Sequence, residues 1–488
     1  MHTEIIKHWI DTGTFRMNQY TGPLLFFPIV YGTILVKLFG FSFSLLRIST
    51  IFLTFLLTIG IFLFIRKKTN NPALSLLAAL VIWLNPIVYN LSFTFMTDVP
   101  ALLLLLLAIV CFTAGQEKND WRFLLLGSLA TVIGFYTRQT NIFILVAFGL
   151  YALFDSQLRN IKNIIVLSIP ALIGMIIYWF LYQNQFLPNG STLHSILGKR
   201  ALAEHAFLWF WYTILYLGLF TLPLTISVLK NNWRDKKYLL AAVLGLLIPI
   251  ILFFSRHELF PYVPNMINHF GLGPMADVLQ GNFIALFSKS IWLIISLFSG
   301  LGAGLLVFIL WQIKISRVNR WLCLLCVLFL LPILFLSSFD RYFLPLLLII
   351  IIILADQLKN IKLNWLLFFI IGALAIFSIS QTYFYLNWNQ SRAELNQTAI
   401  NLSQTMPQYT GVDGGYEWTG WLGYWEAQKI GLKRGSNNSP WWIKFLMTNN
   451  SAEYVVSASP LADYSVIIQK IVPGWNPNNH LFLLKRNQ

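Results

Sequence analysis

Charge is what this sequence has least of. Asp, Glu, Lys and Arg make up 11% of its 488 residues, against about a quarter in a soluble domain. That excludes an ordinary water-soluble globular chain. Acids are scarcer than bases, 18 against 34. Cysteine is nearly absent. Cys111, Cys323 and Cys326 all fall within apolar runs, which excludes a disulfide framework. The CxxC spacing of the last two has no second pair to complete a zinc site, so it reads as packing on one helix face. No repeat or low-complexity tract stands out, and no cleavable signal peptide is legible at the amphipathic start MHTEIIKHWIDTGTFRMNQY. The long apolar runs do not alternate, which argues against a membrane barrel.

What is present is a series of apolar runs near the length that crosses a hydrocarbon core of about 30 Å as a helix. The expected spans are 46–65, 72–92, 98–115, 121–137, 140–154, 163–182, 206–229, 238–254, 288–312, 321–337, 342–356 and 364–385. The fold class is therefore an all-α polytopic membrane protein of about 12 transmembrane helices. Residues 1–45 read as an outer-face segment. In it the apolar run from Pro23 to Phe41, interrupted by Lys37 and two prolines, is a surface-lying or re-entrant helix. Residues 46–385 are the transmembrane domain. Residues 386–488 change composition, with Asn, Gly, Trp and Tyr and alternating stretches at Tyr454–Val456 and His480–Leu484. They read as a small α/β C-terminal domain outside the membrane.

A net charge of +16 raises the question of nucleic acid. Its placement answers against that partner, because the bases sit in short loops and no basic patch is interleaved with aromatics. One side of the membrane receives 16 of them: Arg66, Lys67, Lys68, Lys118, Arg122, Arg159, Lys162, Lys230, Arg234, Lys236, Lys237, Lys314, Arg317, Arg320, Lys359 and Lys362. The short loops of the other side hold 6: Arg138, Lys199, Arg200, Arg256, Lys289 and Arg341. The first side is therefore expected to be cytoplasmic. The tail and the loops at about 183–205 and 255–287 then face outward, at a plasma (inner) membrane.

On the outer side a sparse ionisable set sits at helix ends: Asp98 in FMTDVP, Arg138 in YTRQT, Arg256 with His257 and Glu258 in SRHEL, and Asp340 with Arg341 in FDRY. Ionisable groups at membrane depth are costly and usually functional. A carboxylate can deprotonate a hydroxyl or hold a divalent metal, and guanidinium forks clamp phosphate. A phosphate-linked donor at a membrane surface is a polyprenyl-phosphate sugar. The structural alternative is that the pairs cap helices, and that Asp98, followed by Val-Pro, is an N-cap. In the tail, VDGGYEWTGWLGYWEAQ (Val412 to Gln428) places Trp418, Trp421 and Trp425 on one helical face, with Asp413 and Glu417 beside them. Aromatic faces stack on sugars and carboxylates bind their hydroxyls. The same aromatics equally suit the membrane interface.

These segments resemble a family. HWIDTGTFRMNQYTGPLLFFPIVYGTILVKLFGFSFSLLRIST, SFTFMTDVPALLLLLLAI, GFYTRQTNIFIL and SSFDRYFLPLLLIIII are similar, in order and sidedness over about residues 5–360, to motifs of the GT-C glycosyltransferases. Bacterial relatives of protein O-mannosyltransferases and the aminoarabinose transferase of lipid A are of this type. The RQTN segment also looks like that of enzymes adding the terminal glucose to dolichol-linked glycans. The resemblance implies transfer of a sugar from a polyprenyl-phosphate donor to a hydroxyl of a glycan, lipid or protein on the outer face, with inversion. It implies Asp98 as the catalytic carboxylate and Arg138, Arg256 and Arg341 as donor-phosphate ligands. His257, Glu258, Asp340, Asp413, Glu417 and Trp418 are the candidate acceptor or sugar contacts, and no residue is assigned to a metal.

The family's first helix and first acidic motif have no counterpart here. Glu4 is the nearest carboxylate, but by its spacing to WIDTG it falls too late for that motif and reads as a surface residue of an amphipathic helix. The expectation is a start upstream of Met1, or a truncated inactive relative. A transporter or lipid flippase is the reading from another class. Internal repeats and charges near the midplane would favour it, and neither is visible.

Overall fold

The computed structural model describes residues 2–15, 17, 25–184, 199–231, 234–313, 316–336, 338–359, 365–403, 411–421, 452–475 and 478–487. Its contacts divide into two units. One comprises residues 2–263 and 289–375, the other 264–288 and 376–488. The composition shift at 386 thus falls within a helix, and a segment read from sequence as a loop, 264–288, groups with the tail.

In chain order the first unit contains α1 (His2–Thr12), α2 (Phe26–Phe39), α3 (Phe43–Thr69), α4 (Pro72–Trp83), α5 (Pro86–Ser92), α6 (Asp98–Lys118), α7 (Trp121–Phe135), α8 (Ile142–Phe154), α9 (Ile161–Gln183), α10 (Lys199–Asn231) and α11 (Lys236–Arg256). After α12 (Met275–Val278) of the other unit come α13 (Lys289–Gln312), α14 (Arg317–Phe335) and α15 (Leu344–Leu358). Finally α16 (Trp365–Leu402) runs from the first unit into the second.

Short polar residues start these helices where apolar runs begin. Ser42 accepts hydrogen bonds from the Ser44 and Leu45 amides, Asn71 from Leu74, Asp120 from Arg122, Asn160 from Asn163, Asp235 from Lys237 and Ser316 from Asn319. Each cap satisfies an amide that lipid cannot. Asn70 and Asn119 end α3 and α6 in the left-handed region, which Asn tolerates better than other non-glycine residues.

Nine helices among the described residues are long and apolar enough to cross a membrane, and a tenth span counts if α4 and α5 are taken together. Twelve were expected. The run at 72–92 is bent by 67° where Asn85 caps a new helix opened by Pro86. The runs at 121–137 and 140–154 are too short. The 15 residues of α7 rise only about 22 Å, and the chain breaks at Tyr136–Thr137 before resuming through a 3-10 turn, Gln139–Asn141, into α8. The 14-residue α2 is likewise too short to span. Conversely, the 38 residues of α16 rise about 57 Å, well beyond a hydrocarbon core of about 30 Å.

Within the first unit α6, α10 and α15 are mostly buried, whereas α9 and α11 leave broad apolar faces open. Leu172, Met175, Ile176 and Trp179 on α9 are among these exposed residues, as suits helices facing lipid. Helix α13 packs against α10 and α11 through small residues. A Cβ built on Gly300 would lie 2.6 Å from the Gly245 carbonyl oxygen, so backbones touch where SGLGAG meets α11. Deeper in, Phe112 stacks on Phe148 at 4.3 Å, and Trp321 meets Phe148 edge-on at 5.3 Å.

The second unit holds a hairpin, β1 (Ile267–Asn268) with β2 (Gly271–Leu272), and a four-stranded sheet ordered β3-β4-β6-β5. Strand β3 (Val412–Asp413) runs parallel to β4 (Tyr454–Ser457), while β6 (His480–Arg486) is antiparallel to both β4 and β5 (Tyr464–Ile471). The two alternating stretches seen in the sequence are β4 and β6. Strand β4 is buried throughout, and β5 is the exposed edge. Gly415 adopts φ +87°, and a side chain there would press on Val278 and Leu279 of the 264–288 segment, a close approach that glycine permits.

Candidate functional site

Asp98 is the first residue of α6. It does not cap that helix: the N-cap is Thr97, which makes no side-chain cap bond. The Asp98 carboxylate is 2% exposed and turned to two cations instead. Arg138 donates from Nη1 to its Oδ1, and Nη1 of Arg341 lies 3.8 Å from its Oδ2.

Each arginine is delivered by a break in a helix. Arg138 has extended backbone between α7 and the 3-10 turn. Its amide bonds the Gly134 carbonyl at 2.7 Å, and its own carbonyl accepts from the Asn141 amide at 3.0 Å. The Asn141 side chain then donates to the Ala101 carbonyl on α6 at 3.0 Å, tying the break to the helix that carries Asp98. A Cβ on Gly134 would meet Asn141 Nδ2 at 2.6 Å, so the junction needs glycine. Arg341 lies in the 3-10 turn Asp340–Phe343 that precedes α15.

Tyr342 binds the pair together. Its ring centroid is 4.4 Å from the Arg138 guanidinium carbon and 5.9 Å from that of Arg341, within cation–π range. The side chains of Arg138 and Arg341 are only 15% and 18% exposed. Arg341 Nε is buried without a hydrogen-bond partner among the described residues. A small cavity of about 10 Å³ opens between Asp98, Arg138, Asn141 and Arg341, room for about one water. Two guanidiniums thus share one carboxylate in a largely dry place. Guanidiniums in such a place can bind an anion. Among the described residues no three His, Cys, Asp or Glu side chains converge to hold a metal.

The other expected site residues lie elsewhere. Arg256 does not join Asp98. At the end of α11 it donates to Glu258 at 3.0 Å and to Glu204 at 3.1 Å. Glu258 also accepts from the Tyr212 hydroxyl, whose ring stacks on Tyr262 at 5.4 Å. Two carboxylates against one guanidinium make this cluster net negative, which is wrong for a phosphate clamp. His257 is the exposed left-handed C-cap of α11, at φ 56°. Asp340 is fully buried at the start of its turn.

In the second unit Asp413 is also fully buried. It accepts from the Gly415 amide, the Thr419 hydroxyl and the Gln280 amide, each at 3.0 Å. That bonding pins the helical turn at 416–421 to the 264–288 segment. Glu417 accepts from Arg392 at 2.5 Å, and Trp418 is half-buried. Trp425 lies outside the described residues. Glu4 is buried beside Ile5 and Ile6 in α1, not on a surface as the sequence suggested, because that face of α1 packs on α2. Reading the sequence missed Tyr342 and Asn141. Both lie inside the FDRY and RQTN motifs, but only the folded contacts reveal their parts.

The fold and this site define a multi-pass membrane protein with a buried cationic pair at two helix breaks. Residues 23–182, which include Asp98 and Arg138, match the family described as dolichyl-phosphate-mannose-protein mannosyltransferase. That match supports the GT-C membrane glycosyltransferases, the superfamily that the motifs resemble. No curated protein matches the chain. Among solved structures, the chain is similar to ArnT from Cupriavidus metallidurans bound to undecaprenyl phosphate, with 10% identity and a TM-score of 0.48 over 99% of this chain and 92% of that one.

Proposed function

We propose that this chain transfers a sugar from a polyprenyl-phosphate donor to an acceptor hydroxyl at the outer face of the plasma membrane, with inversion. The observation that carries this reading is the pair Arg138 and Arg341 held on one buried carboxylate. The description of the matched family, which names a dolichyl-phosphate sugar, supports the donor class.

In a single displacement the acceptor oxygen bonds to the anomeric carbon as that carbon's bond to the phosphate oxygen breaks. The acceptor proton passes to a base, and negative charge grows on the departing phosphate. Prearranged guanidiniums in a water-poor site stabilise that charge better in the transition state than before it. Asp98 acts here as a positioning residue, since Arg138 donates to its Oδ1 and Arg341 Nη1 lies 3.8 Å from its Oδ2. The basic asymmetry of the loops supports placing the site and the C-terminal unit outside.

The test is an assay of the purified protein with radiolabelled polyprenyl-phosphate sugars. Arg138→Gln and Arg341→Gln should each lower turnover about 10²-fold or more, the range for losing one charge-stabilising donor. Turnover unchanged in both variants would remove the proposed donor site. Substrate transport across vesicles without sugar transfer would favour the transporter reading instead.

A further inference from the structure

The second unit contains a cavity that the transfer reading does not use. Its volume is about 220 Å³, below the range of roughly 300–1,000 Å³ for pockets that take drug-sized ligands. That is the size class of a small polar ligand such as one sugar ring.

Three features of its lining define the occupant. The first is shape. Phe270, Phe283 and Phe482 line it half-buried, so part of each ring is open, while Phe384 and Trp388 are buried beneath. The Phe270 and Phe283 rings stand 5.3 Å apart and are tilted by 32°, which presents flat apolar surface without closing on itself. The second is charge. Among the described residues the lining contains no Asp, Glu, Lys or Arg, so nothing there compensates a phosphate, a carboxylate or an ammonium group. The third is a set of neutral polar groups. Asn282, Ser459, Asn479 and His480 supply amide, hydroxyl and imidazole groups able to donate and accept alike. His480 lines the cavity half-buried, and its Nδ1 has no hydrogen-bond partner among the described residues.

From these we infer that the second unit binds a single neutral sugar ring, stacked on the phenylalanine faces with its hydroxyls toward His480 and the neighbouring amides. A purely apolar ligand leaves these polar groups without partners, and a charged one is stranded in an uncharged cavity. The site lies wholly in the unit formed by 264–288 and 376–488. Sugar binding there and phosphate binding at Arg138 and Arg341 are separate claims.

Saturation-transfer NMR on the full chain tests this, in a detergent without a sugar headgroup. The probes are methyl α-glucopyranoside, methyl α-mannopyranoside, glucose 6-phosphate, glucosamine and farnesol. Saturation is expected for at least one neutral glycoside and for none of the other three. Ala458→Trp, which puts an indole at the lining, should abolish it. His480→Ala should weaken binding about three- to tenfold, the scale of one hydrogen bond, with the melting transition unchanged. Absence of saturation by both neutral glycosides at millimolar concentration overturns the inference. So does saturation by farnesol in their place, or undiminished binding in a folded Ala458→Trp variant. None of these outcomes alters the transfer assay of the Arg138 and Arg341 variants.

Discussion

Replacing Asp98 with Asn removes one charge and almost no volume, and the consequence depends on what that charge holds. Were Asp98 a helix cap, Asn would replace it at little cost, since the two rank together at that position and losing a cap altogether costs only about 1 kcal/mol. The structure puts the carboxylate between Arg138 and Arg341, at 2% exposure. Breaking a buried pair by removing one partner costs about 3–5 kcal/mol, because the remaining charge is uncompensated. Here two cations are left facing each other. Thermal unfolding of the purified variant should therefore show a loss several times that of a cap. Turnover should fall by about 10²-fold or more, because the arginines lose the group that aims them.

Two controls make the reasoning specific. In the Arg138→Gln background the same Asp98→Asn change should cost less, with a coupling of about 0.5–3 kcal/mol, as for residues in one ionic network. Added polyprenyl phosphate should raise the melting temperature of Asp98→Asn more than that of the parent, because the phosphate supplies the missing anion. Wild-type stability in Asp98→Asn, with no coupling to Arg138, would refute the network. Lost stability with normal turnover would leave the cluster as a structural pin.

Further predictions concern other levels of the molecule. Single-cysteine variants at Lys237 and Ile467, in a background lacking the native cysteines, should label from opposite sides of intact cells, with Ile467 reacting first with an impermeant reagent. Labelling of Ile467 only after permeabilisation would invert the topology. Gly300→Leu should reduce folded yield and melting temperature sharply, because its Cβ alone would come within 2.6 Å of the Gly245 carbonyl. An unchanged melting transition would contradict the close packing of α11 and α13. Arg317 hydrogen-bonds Asp155 and holds that carboxyl down at about 2 from an ordinary 3.8. A depressed carboxylate contributes stability that is complete above its unfolded value and lost as pH falls through the folded one. The Asp155→Asn variant and the parent should therefore differ in melting temperature at pH 6 and converge between about pH 4 and pH 2. A difference that stays constant over that window would rule out the ionic contribution.

Much of this molecule is written in local chemistry, and that part was legible in the chain itself. Apolar runs in a chain poor in charge fix membrane helices, because lipid leaves the backbone no other way to satisfy its hydrogen bonds. The alternation at Tyr454–Val456 and His480–Leu484 marks strands, because successive side chains point to opposite faces. The short motifs around Asp98, Arg138 and Arg341 could be singled out because ionisable residues are rare at such positions.

Tertiary structure decided the rest. Asp98, Arg138 and Arg341 lie on three breaks far apart in the chain, and their meeting depends on how α6, α7 and α15 pack. Arg256 carries the same guanidinium and the same apparent sidedness, yet Glu204 and Glu258 occupy it. Asp413 looked like a sugar ligand but is fully buried and accepts from Gly415, Thr419 and Gln280. The residues 264–288 read as a loop because turn formers dominate them, and only their packing partners made them part of a sheet-bearing unit. A residue's chemistry is a property of its type, but whether that chemistry is free to act depends on which neighbours satisfy it. Those neighbours are set by contacts between segments that no local pattern encodes.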